Sequence, residues 1–314
     1  MYDLIVIGGA AVGSAAGIYA ARRKLNFLII AKDLGGEVAL SGAVNNWPGI
    51  IDIQGFDLAE KFAEHLKSYG VAADEGAEVI SVKPEKNYHV VTAKNSAGEI
   101  KTYQTKTVIV GTGIHPRELG VPGEKPLLHH GVTSCTVCDG PLFTGKVTAT
   151  IGAGNSALES ALMMMEIASK VYLLTKYPNT PATQGGFPKG EAILIEKVKA
   201  AKNVEIIYEA NTTEIVGDKV VTGLKYQDAA GQVQQIAVQG VMVHVGMIPN
   251  SQFIDCVKKN AQGEIEVDLL GRTSCPGIFA AGDVTNIPYK QIAIAAGQGV
   301  TAALTAIDYL NKLK

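Results

Sequence analysis

The chain of 314 residues is longer than one hydrophobic core usually supports, so two domains are expected. Apolar residues make up 47% and charged residues 18%, which excludes a disordered chain, and the net charge of -2, with acids and bases interspersed, excludes the basic surface of a nucleic-acid-binding protein. Because no uninterrupted run of 18 or more apolar residues is present, no membrane-spanning segment is expected.

The first segment, residues 4–21, is apolar enough to resemble the hydrophobic part of a signal peptide. However, Asp3 stands where a signal peptide carries basic residues, and Gly8, Gly9 and Gly13 interrupt the apolar run. The chain also has only four cysteines, fewer than a disulfide-stapled secreted protein of this size would carry. We therefore expect a cytoplasmic protein.

A β-α-β unit is predicted at the start of the chain, with strands over 3–7 and 26–31 and a helix over 14–23. The turn between the first strand and the helix reads Gly8-Gly9-Ala10-Ala11-Val12-Gly13, with Ala10 where a dinucleotide fingerprint has its middle glycine. Such turns let the backbone at a helix N-terminus approach a pyrophosphate. A glycine turn before a helix also occurs without a ligand, so this signal is weak by itself.

The same order recurs, with predicted strands over 146–151 and 170–175 and a helix over 157–169. The second turn is Gly152-Ala153-Gly154-Asn155-Ser156-Ala157. Two fingerprints at matching places indicate two dinucleotide sites. The sequence therefore predicts an α/β protein with two Rossmann-like, three-layer ββα nucleotide-binding domains, the second inserted in the first.

The domain boundaries are predicted at two matching segments that combine a strand with glycines, 107–113 and 241–249. Next to them, His115-Pro116 and Ile248-Pro249 restrict the backbone. We place hinges near 114–117 and 246–250, one domain at 1–114 and 249–314, and the inserted domain at 115–248.

Cys135 and Cys138 form a C-x-x-C pair, which can hold a reducible disulfide. The pair could also be half of a zinc site or two unreactive buried thiols. Zinc needs four ligands, and Cys256 and Cys275 stand alone, so no metal is expected. Asp139 is a candidate general acid for a leaving thiolate, or it caps the following turn.

Near the C-terminus, Gly282-Asp283 places a carboxylate after a glycine, which suits hydrogen bonding to a polyol chain. A helix that begins near Gln291 would direct its positive end towards an anionic ring edge of a ligand. By itself, Gly-Asp is only a turn.

Together these segments resemble the low-molecular-weight thioredoxin reductases and, more closely, the reductase core of the flavoprotein component of alkyl hydroperoxide reductase. The resemblance extends over essentially the whole chain, and 131–143, 46–49 and 279–299 carry it most specifically. It implies FAD in the first domain and NADPH or NADH in the inserted domain, which would rotate between two positions. It also implies a homodimer and a thioredoxin-like or glutaredoxin-like partner, with no nucleic acid or membrane involved.

The resemblance also implies roles for single residues. Cys138 matches the flavin-facing thiol, Cys135 the interchange thiol and Asp139 the acid. The expected FAD-binding residues are Gly8, Gly9, Ala10, Gly13, Gly35, Gly36, Asn46, Thr112, Gly113, Gly282, Asp283, Gln291 and Ile292. The expected contacts to the nicotinamide cofactor are Gly152, Gly154, Asn155, Ser156, Ala157 and Lys176.

One departure from the family pattern concerns the electron donor. NADPH-dependent relatives carry a His-Arg-Arg cluster at the end of the inserted domain's second strand, and NADH-preferring relatives carry an acid. This chain has Thr175-Lys176-Tyr177 there. Lys176 could hold a 2′-phosphate as a point charge, without the bidentate fit of arginine. The donor therefore stays open among NADPH, NADH and ferredoxin, which reduces some relatives.

The leading hypothesis is a flavin-dependent disulfide reductase. Because the chain starts directly at the first strand, we expect it to lack the N-terminal thiol-disulfide domain of the hydroperoxide reductase component, which favours a separate partner protein. A ferredoxin-dependent flavin thioredoxin reductase and a dithiol oxidase that releases peroxide are alternative enzymes. A redox-sensing binding protein without turnover is a third possibility, against which the intact cysteine pair with Asp139 argues.

Overall fold

A computed structural model describes residues 1–41, 43–71 and 73–313, which form two compact units. Unit 1 comprises Met1–His115 and Ile248–Lys314, and unit 2 comprises Pro116–Met247. The chain therefore leaves unit 1 once and returns to it once, so unit 2 is an insertion.

The first segment of unit 1 alternates strands and helices and then forms a run of strands. Its elements are β1 (Tyr2–Ile7), α1 (Ala11–Arg22), β2 (Phe27–Ala31), α2 (Gly36–Ala39), β3 (Ala43–Val44), β4 (Ile53–Gln54), α3 (Gly55–Ser68), β5 (Ala73–Glu75), β6 (Ala77–Pro84), β7 (His89–Asn95), β8 (Ile100–Val110) and β9 (Ile114–Pro116).

Unit 2 contains β10 (Val132–Thr133), α4 (Thr136–Asp139), β11 (Val147–Ile151), α5 (Asn155–Ile167), β12 (Lys170–Leu174), α6 (Ala192–Ala200), β13 (Val204–Ile207), β14 (Asn211–Gly217), β15 (Val221–Gln227), β16 (Val233–Ile236) and β17 (Gly240–Val243). The chain then continues with β18 (Met247–Pro249), β19 (Ile278–Ala280) and α7 (Ile292–Lys312).

The sheet of unit 1 has the order β5-β2-β1-β8-β7-β6, with β19 also paired to β8. β1 lies between β2 and β8, parallel to both, and its residues Leu4–Ile7 are buried. Burial on both faces suits a continuous apolar strand in a parallel sheet. The first half of β8 instead pairs antiparallel with β7, which is why β8 begins well before the segment predicted at 107–113.

Unit 2 contains a parallel sheet with the order β10-β17-β11-β12-β13 and a separate antiparallel sheet β14-β15-β16. β11 is central, with β12 on one side and β17 on the other. The direction in which strands are added therefore reverses at β11, and ligands of such sheets bind outside the carboxyl ends of the strands at this switch point. The predicted α/β class, with two Rossmann-like domains and the second inserted, is confirmed.

Both predicted fingerprint helices begin earlier than the sequence indicated. α1 begins at Ala11 and α5 at Asn155, inside the two turns. The residues that follow the first glycines already adopt helical backbone angles, so the N-terminal N–H groups belong to the turn itself. This placement is what an anion-binding helix terminus requires.

Helix α7 is the one helix in the described ranges that could cross a membrane by length and composition, with 21 residues and a mean hydropathy of 1.2. The helix is rich in alanine. Ala302, Ala303 and Ala306 lie in the core cluster of unit 1 together with Val12 of α1. The small side chains allow the two helices to approach closely, since a Cβ at Gly299 would lie 2.7 Å from the carbonyl oxygen of Val12.

Candidate active site

Unit 1 contains a cavity of about 1580 Å³ beside the glycine turn that follows β1. Small-molecule sites usually measure about 300–1,000 Å³, so this cavity has room for a dinucleotide. The residues predicted to bind a cofactor that line it are Gly8, Gly9, Ala10, Gly35, Gly36, Asn46, Thr112, Gly113, Asp283, Gln291 and Ile292. The fold thus brings together segments that are far apart in the chain.

Two further predicted cofactor residues, Gly13 and Gly282, are not part of the cavity lining. A Cβ at Gly13 would lie 1.9 Å from the carbonyl oxygen of Gly8, and a Cβ at Gly282 would lie 2.7 Å from a methyl group of Val12. Both glycines therefore permit close packing directly behind the glycine turn. These two glycines would therefore contribute to ligand binding by shaping the backbone of the glycine turn.

Two carboxyl groups of the cavity wall have raised pKa values. Burial raises the pKa of Asp283, and the ammonium of Lys290 partly opposes this. Burial also raises the pKa of Glu37, against the opposing effect of His115, while Asp283 and Asp33 raise it further. Partly desolvated carboxyl groups form strong hydrogen bonds with hydroxyl groups, so this wall suits a polyol chain. Neither Glu37 nor His115 was predicted from the sequence to line a cofactor site.

Asp33 is another lining residue that the sequence analysis missed. It follows β2 and lies 20 residues beyond Gly13, near the position at which a dinucleotide fingerprint carries its acidic residue. That spacing could have identified it. Its Oδ1 accepts hydrogen bonds from the backbone N–H groups of Gly35, at 3.1 Å, and Gly36. The carboxylate therefore orders the loop that forms part of the cavity wall.

The N-terminus of α7 also reaches the cavity. Gln291 precedes the helix in an extended conformation and makes no side-chain capping bond, and Ile292 and Ala295 line the cavity. The positive end of a 21-residue helix therefore lies at the cavity wall, where it favours a negatively charged ligand group.

Unit 2 contains the predicted cysteine pair as a disulfide between Cys135 and Cys138, at the two ends of the first turn of α4. Cys135 is half-buried and Cys138 is exposed. The backbone N–H of Cys138 donates to Sγ of Cys135 at 3.3 Å. An exposed disulfide on one helical turn can be reached by another protein, which fits a redox-active disulfide.

Asp139 ends α4 directly after the second cysteine. Its backbone N–H donates to the carbonyl oxygen of Cys135 at 3.1 Å, which closes the turn. Its side chain makes no capping hydrogen bond to the 3₁₀ helix that follows at Gly140–Phe143. The alternative interpretation of Asp139 as a cap is therefore not supported, and the half-buried carboxyl group lies next in sequence to Cys138.

Two side chains that the sequence analysis did not identify contact the interior of the cysteine motif. Oγ1 of Thr136 lies 2.6 Å from Oγ of Ser160 and 2.9 Å from Nε2 of His244. Burial lowers the pKa of His244 to about 4, so its imidazole is neutral near pH 7. In the sequence, His244 stands out as a histidine inside the apolar run 241–245, and this pattern could have identified it.

The remaining cysteines, Cys256 and Cys275, lie in unit 1. Burial raises the pKa of the Cys256 thiol to about 12, and a hydrogen bond with Cys275 adds to this increase. Because the thiolate is the reactive species, Cys256 is a poor nucleophile. The Cys135–Cys138 disulfide is therefore the better candidate for thiol exchange.

The second glycine turn, Gly152 to Gly154, lies at the switch point of unit 2, and α5 begins directly after it. The side-chain amide of Asn155 donates to Oε1 of Glu191 at 2.9 Å, and its Oδ1 accepts from the backbone N–H of Glu191 at 2.8 Å. Asn155 thus anchors the loop before α6. Ser156 is exposed, whereas Ala157 is fully buried in the core.

The end of β12 leads to Lys176, which was predicted to contact a nicotinamide cofactor. Thr175 is buried, and its hydroxyl donates to the carbonyl oxygen of Gly186 at 2.6 Å. Lys176 is exposed, with its ammonium 5.4 Å from the centre of the Tyr177 ring. The sequence has no arginine between Arg117 and Arg272, so unit 2 offers no arginine fork at this place.

Comparison with known proteins gives concordant similarities. A family model described as pyridine nucleotide-disulphide oxidoreductase matches residues 2–299. The F component of alkyl hydroperoxide reductase from Pseudomonas putida is 39% identical over 98% of the chain, which spans 58% of that relative's length.

Two solved structures are similar over nearly their whole length. The thioredoxin reductase of T. acidophilum is 37% identical, with a TM-score of 0.83 and coverage of 100% of this chain and 99% of the other. The thioredoxin reductase of Lactococcus lactis is 29% identical, with a TM-score of 0.86 and coverage of 99% and 100%.

Proposed function

The chain belongs to the pyridine nucleotide-disulphide oxidoreductase family, in its thioredoxin reductase-like branch, and from this membership we propose that it reduces the disulfide of a thioredoxin-like or glutaredoxin-like protein. The electrons would come from NADPH or NADH and pass through FAD and the Cys135–Cys138 disulfide. One NAD(P)H, one proton and one partner disulfide would give NAD(P)⁺ and two partner thiols. The exposed disulfide, in the unit with the second glycine turn, is the observation that carries this proposal.

The residues around the cavity of unit 1 fit FAD. The glycine turn at 8–10 and the N-terminus of α1 would hold the pyrophosphate, and Asp283 would accept hydrogen bonds from ribityl hydroxyls. Asn46, Gln291 and the N-terminus of α7 would lie against the ring system. Bound FAD would supply the ability to take up a hydride equivalent and pass two electrons to a disulfide.

The two cysteines would divide the thiol chemistry. Two electrons and two protons convert the Cys135–Cys138 disulfide to two thiols. The thiolate of Cys135 would then attack the partner disulfide, forming a mixed disulfide and releasing one partner thiolate. The thiolate of Cys138 would attack Sγ of Cys135, release the second partner thiol and restore the disulfide. Asp139 would donate a proton to a leaving thiolate.

The nicotinamide cofactor would bind at the glycine turn of unit 2, through Gly152, Gly154 and the N-terminal residues of α5. Lys176, exposed at the end of β12, is the cation offered to a 2′-phosphate. The buried hydroxyl of Thr175 already donates to Gly186, so this residue would not select between the cofactors.

The test uses the flavin-loaded protein under anaerobic conditions, with NADPH, NADH or reduced ferredoxin added separately. Loss of the flavin absorbance identifies the donor, and oxidised thioredoxin added afterwards should restore it. The Cys135→Ser, Cys138→Ser double variant should still be reduced by the donor but should not reduce thioredoxin. Reduction by ferredoxin alone would replace the nicotinamide donor in this proposal. Reoxidation by oxygen with release of peroxide, and none by disulfides, would indicate a dithiol oxidase.

By resemblance to the family, we also propose a cytoplasmic homodimer. Sedimentation equilibrium at micromolar concentration should give twice the chain mass of 33.0 kDa. A monomer mass under these conditions would reject the dimer without affecting the proposed chemistry.

A further inference from the structure

Thr136, the first residue between the two cysteines, is held from two sides by side chains of unit 2. Its hydroxyl lies 2.6 Å from Oγ of Ser160 in α5 and 2.9 Å from Nε2 of His244, which follows β17. Thr136 is 5% exposed and Ser160 is 4% exposed. Oγ of Ser160 also lies 3.5 Å from Oγ1 of Thr150, so Thr136 belongs to a buried group of hydrogen-bonded side chains. Breaking the bond to His244 would leave the buried ring nitrogen without this partner, so the contact resists displacement.

Helix α4 needs such contacts because one helical turn is not stable by itself. In the oxidised protein, the disulfide cross-links Cys135 and Cys138. Reduction breaks the S–S bond and adds two electrons and two protons, so this covalent restraint is lost. The side-chain bonds of Thr136 do not involve the sulfur atoms, so reduction of the disulfide does not itself break them.

His244 is also part of the structure around the glycine turn of unit 2. Its backbone N–H donates to the carbonyl oxygen of Ile151 at 2.8 Å. Its carbonyl oxygen would lie 2.2 Å from a Cβ at Gly152, so the two backbones are in direct contact. The backbone of His244 therefore supports the turn after β11, while its ring contacts Thr136 of α4.

We propose that His244 and Ser160 are positioning residues that, through Thr136, hold the reduced Cys135 and Cys138 in the geometry for disulfide closure. The inference rests on the proposed disulfide chemistry. Loss of this tether, the bonds of Thr136 to Ser160 and His244, would increase the conformational freedom of the dithiol. The disulfide would gain less freedom, because it remains cross-linked. The equilibrium would shift towards the dithiol, and the reduction potential would become less negative.

The experiment measures the reduction potential of the Cys135/Cys138 couple by equilibration of the whole protein in dithiothreitol redox buffers, followed by thiol trapping. Thr136→Val removes both bonds and should lower the constant for disulfide formation about tenfold, which makes the potential about 30 mV less negative. His244→Leu leaves the bond to Ser160 and should shift the potential in the same direction by a smaller amount. His244→Gln, whose amide can still reach the Thr136 hydroxyl, should stay close to the wild-type potential. The assay needs no nicotinamide or partner protein. It therefore measures the effect of the Thr136 bonds on the potential even if no donor reduces the flavin.

Thr148→Val is the matched control for Thr136→Val. Thr148 is a fully buried threonine of the same unit, in β11, and its hydroxyl has no hydrogen-bond partner in the part of the chain that the structure describes. An equal shift in Thr148→Val, or wild-type potentials in Thr136→Val and His244→Leu, would overturn the proposal. The double variant should shift no further than Thr136→Val alone, because that change already removes the bond to His244. Additive shifts would contradict it.

Discussion

Nδ2 of Asn46 donates a hydrogen bond to Oε1 of Gln291 at 3.1 Å, across 245 residues of sequence. Asn46 lies in the loop between β3 and β4, and Gln291 immediately precedes α7. Both side chains line the cavity of unit 1. The bond thus joins the two segments that we propose to lie against the flavin ring, and each side chain orients the other before any ligand binds.

Replacement of Asp283 should weaken FAD binding. Asp283→Ala removes a carboxylate that lines the cavity and would accept hydrogen bonds from ribityl hydroxyls. A hydrogen bond to a charged group contributes about 1.5–3 kcal/mol, so the dissociation constant should rise roughly 10- to 100-fold. Flavin fluorescence during titration of the apoprotein measures it. Asp308→Ala, which removes an exposed carboxylate paired with Lys312, should bind FAD like the wild type. Equal affinities in all three proteins would refute the role of Asp283.

The two cysteines should give different single variants. Cys135→Ser should leave Cys138 able to perturb the flavin absorbance, while turnover with the partner is abolished. Cys138→Ser should retain the Cys135 thiol, which forms a stable mixed disulfide with a partner that lacks its resolving cysteine. Non-reducing electrophoresis detects this trapped complex. A complex formed only through Cys138 would reverse the assigned roles, an outcome of interest because Cys138 is the more exposed of the two.

Discrimination between NADPH and NADH should be weak. Thr175 is occupied by its bond to Gly186, and Lys176 offers one exposed charge without an arginine fork. The ratio of the two kcat/KM values should stay below about 100-fold, or about 2.7 kcal/mol. Lys176→Ala should reduce any preference for NADPH and leave the NADH value nearly unchanged. A larger ratio in the wild type would mean that another residue reads the 2′-position.

Titration of His244 should make the protein less stable in mild acid. Burial lowers the pKa of His244 in the folded protein from 6.5 to about 4. Well above pH 6.5 the histidine is neutral in both the folded and the unfolded protein, and the full stability is present. As the pH falls towards 4, only the unfolded form takes up the proton, so the free energy of unfolding decreases.

This contribution should be about 3 kcal/mol between pH 7 and pH 4. Urea unfolding of the wild type and of His244→Gln over this range measures it, because all other titrating groups are common to both proteins. The glutamine variant should lose less stability in acid than the wild type. Parallel pH curves for the two proteins would show that His244 titrates normally.

The sequence by itself determined the fold class and the nature of the chemistry. Two strand–glycine turn–helix segments, at 8–13 and 152–157, and the pair Cys135 and Cys138 are local patterns, and the physics that they encode is local as well. Glycines allow a tight turn, and a three-residue spacing allows a disulfide across one helical turn. The similarity to thioredoxin reductases and to the F component of alkyl hydroperoxide reductase confirms the resemblance based on these segments.

Only the tertiary structure decided how the polar side chains are used. The side chain of Asn155 bonds to Glu191, the hydroxyl of Thr175 bonds to Gly186, and Thr136 bonds to His244, 108 residues away. No periodicity or motif records these pairs, because a buried polar group takes whichever partner the packing of distant elements brings within reach. The sequence patterns therefore predicted which types of residue carry the chemistry. The packing of the sheets and helices determined which polar side chains bond within the fold and which stay available to a ligand or a partner.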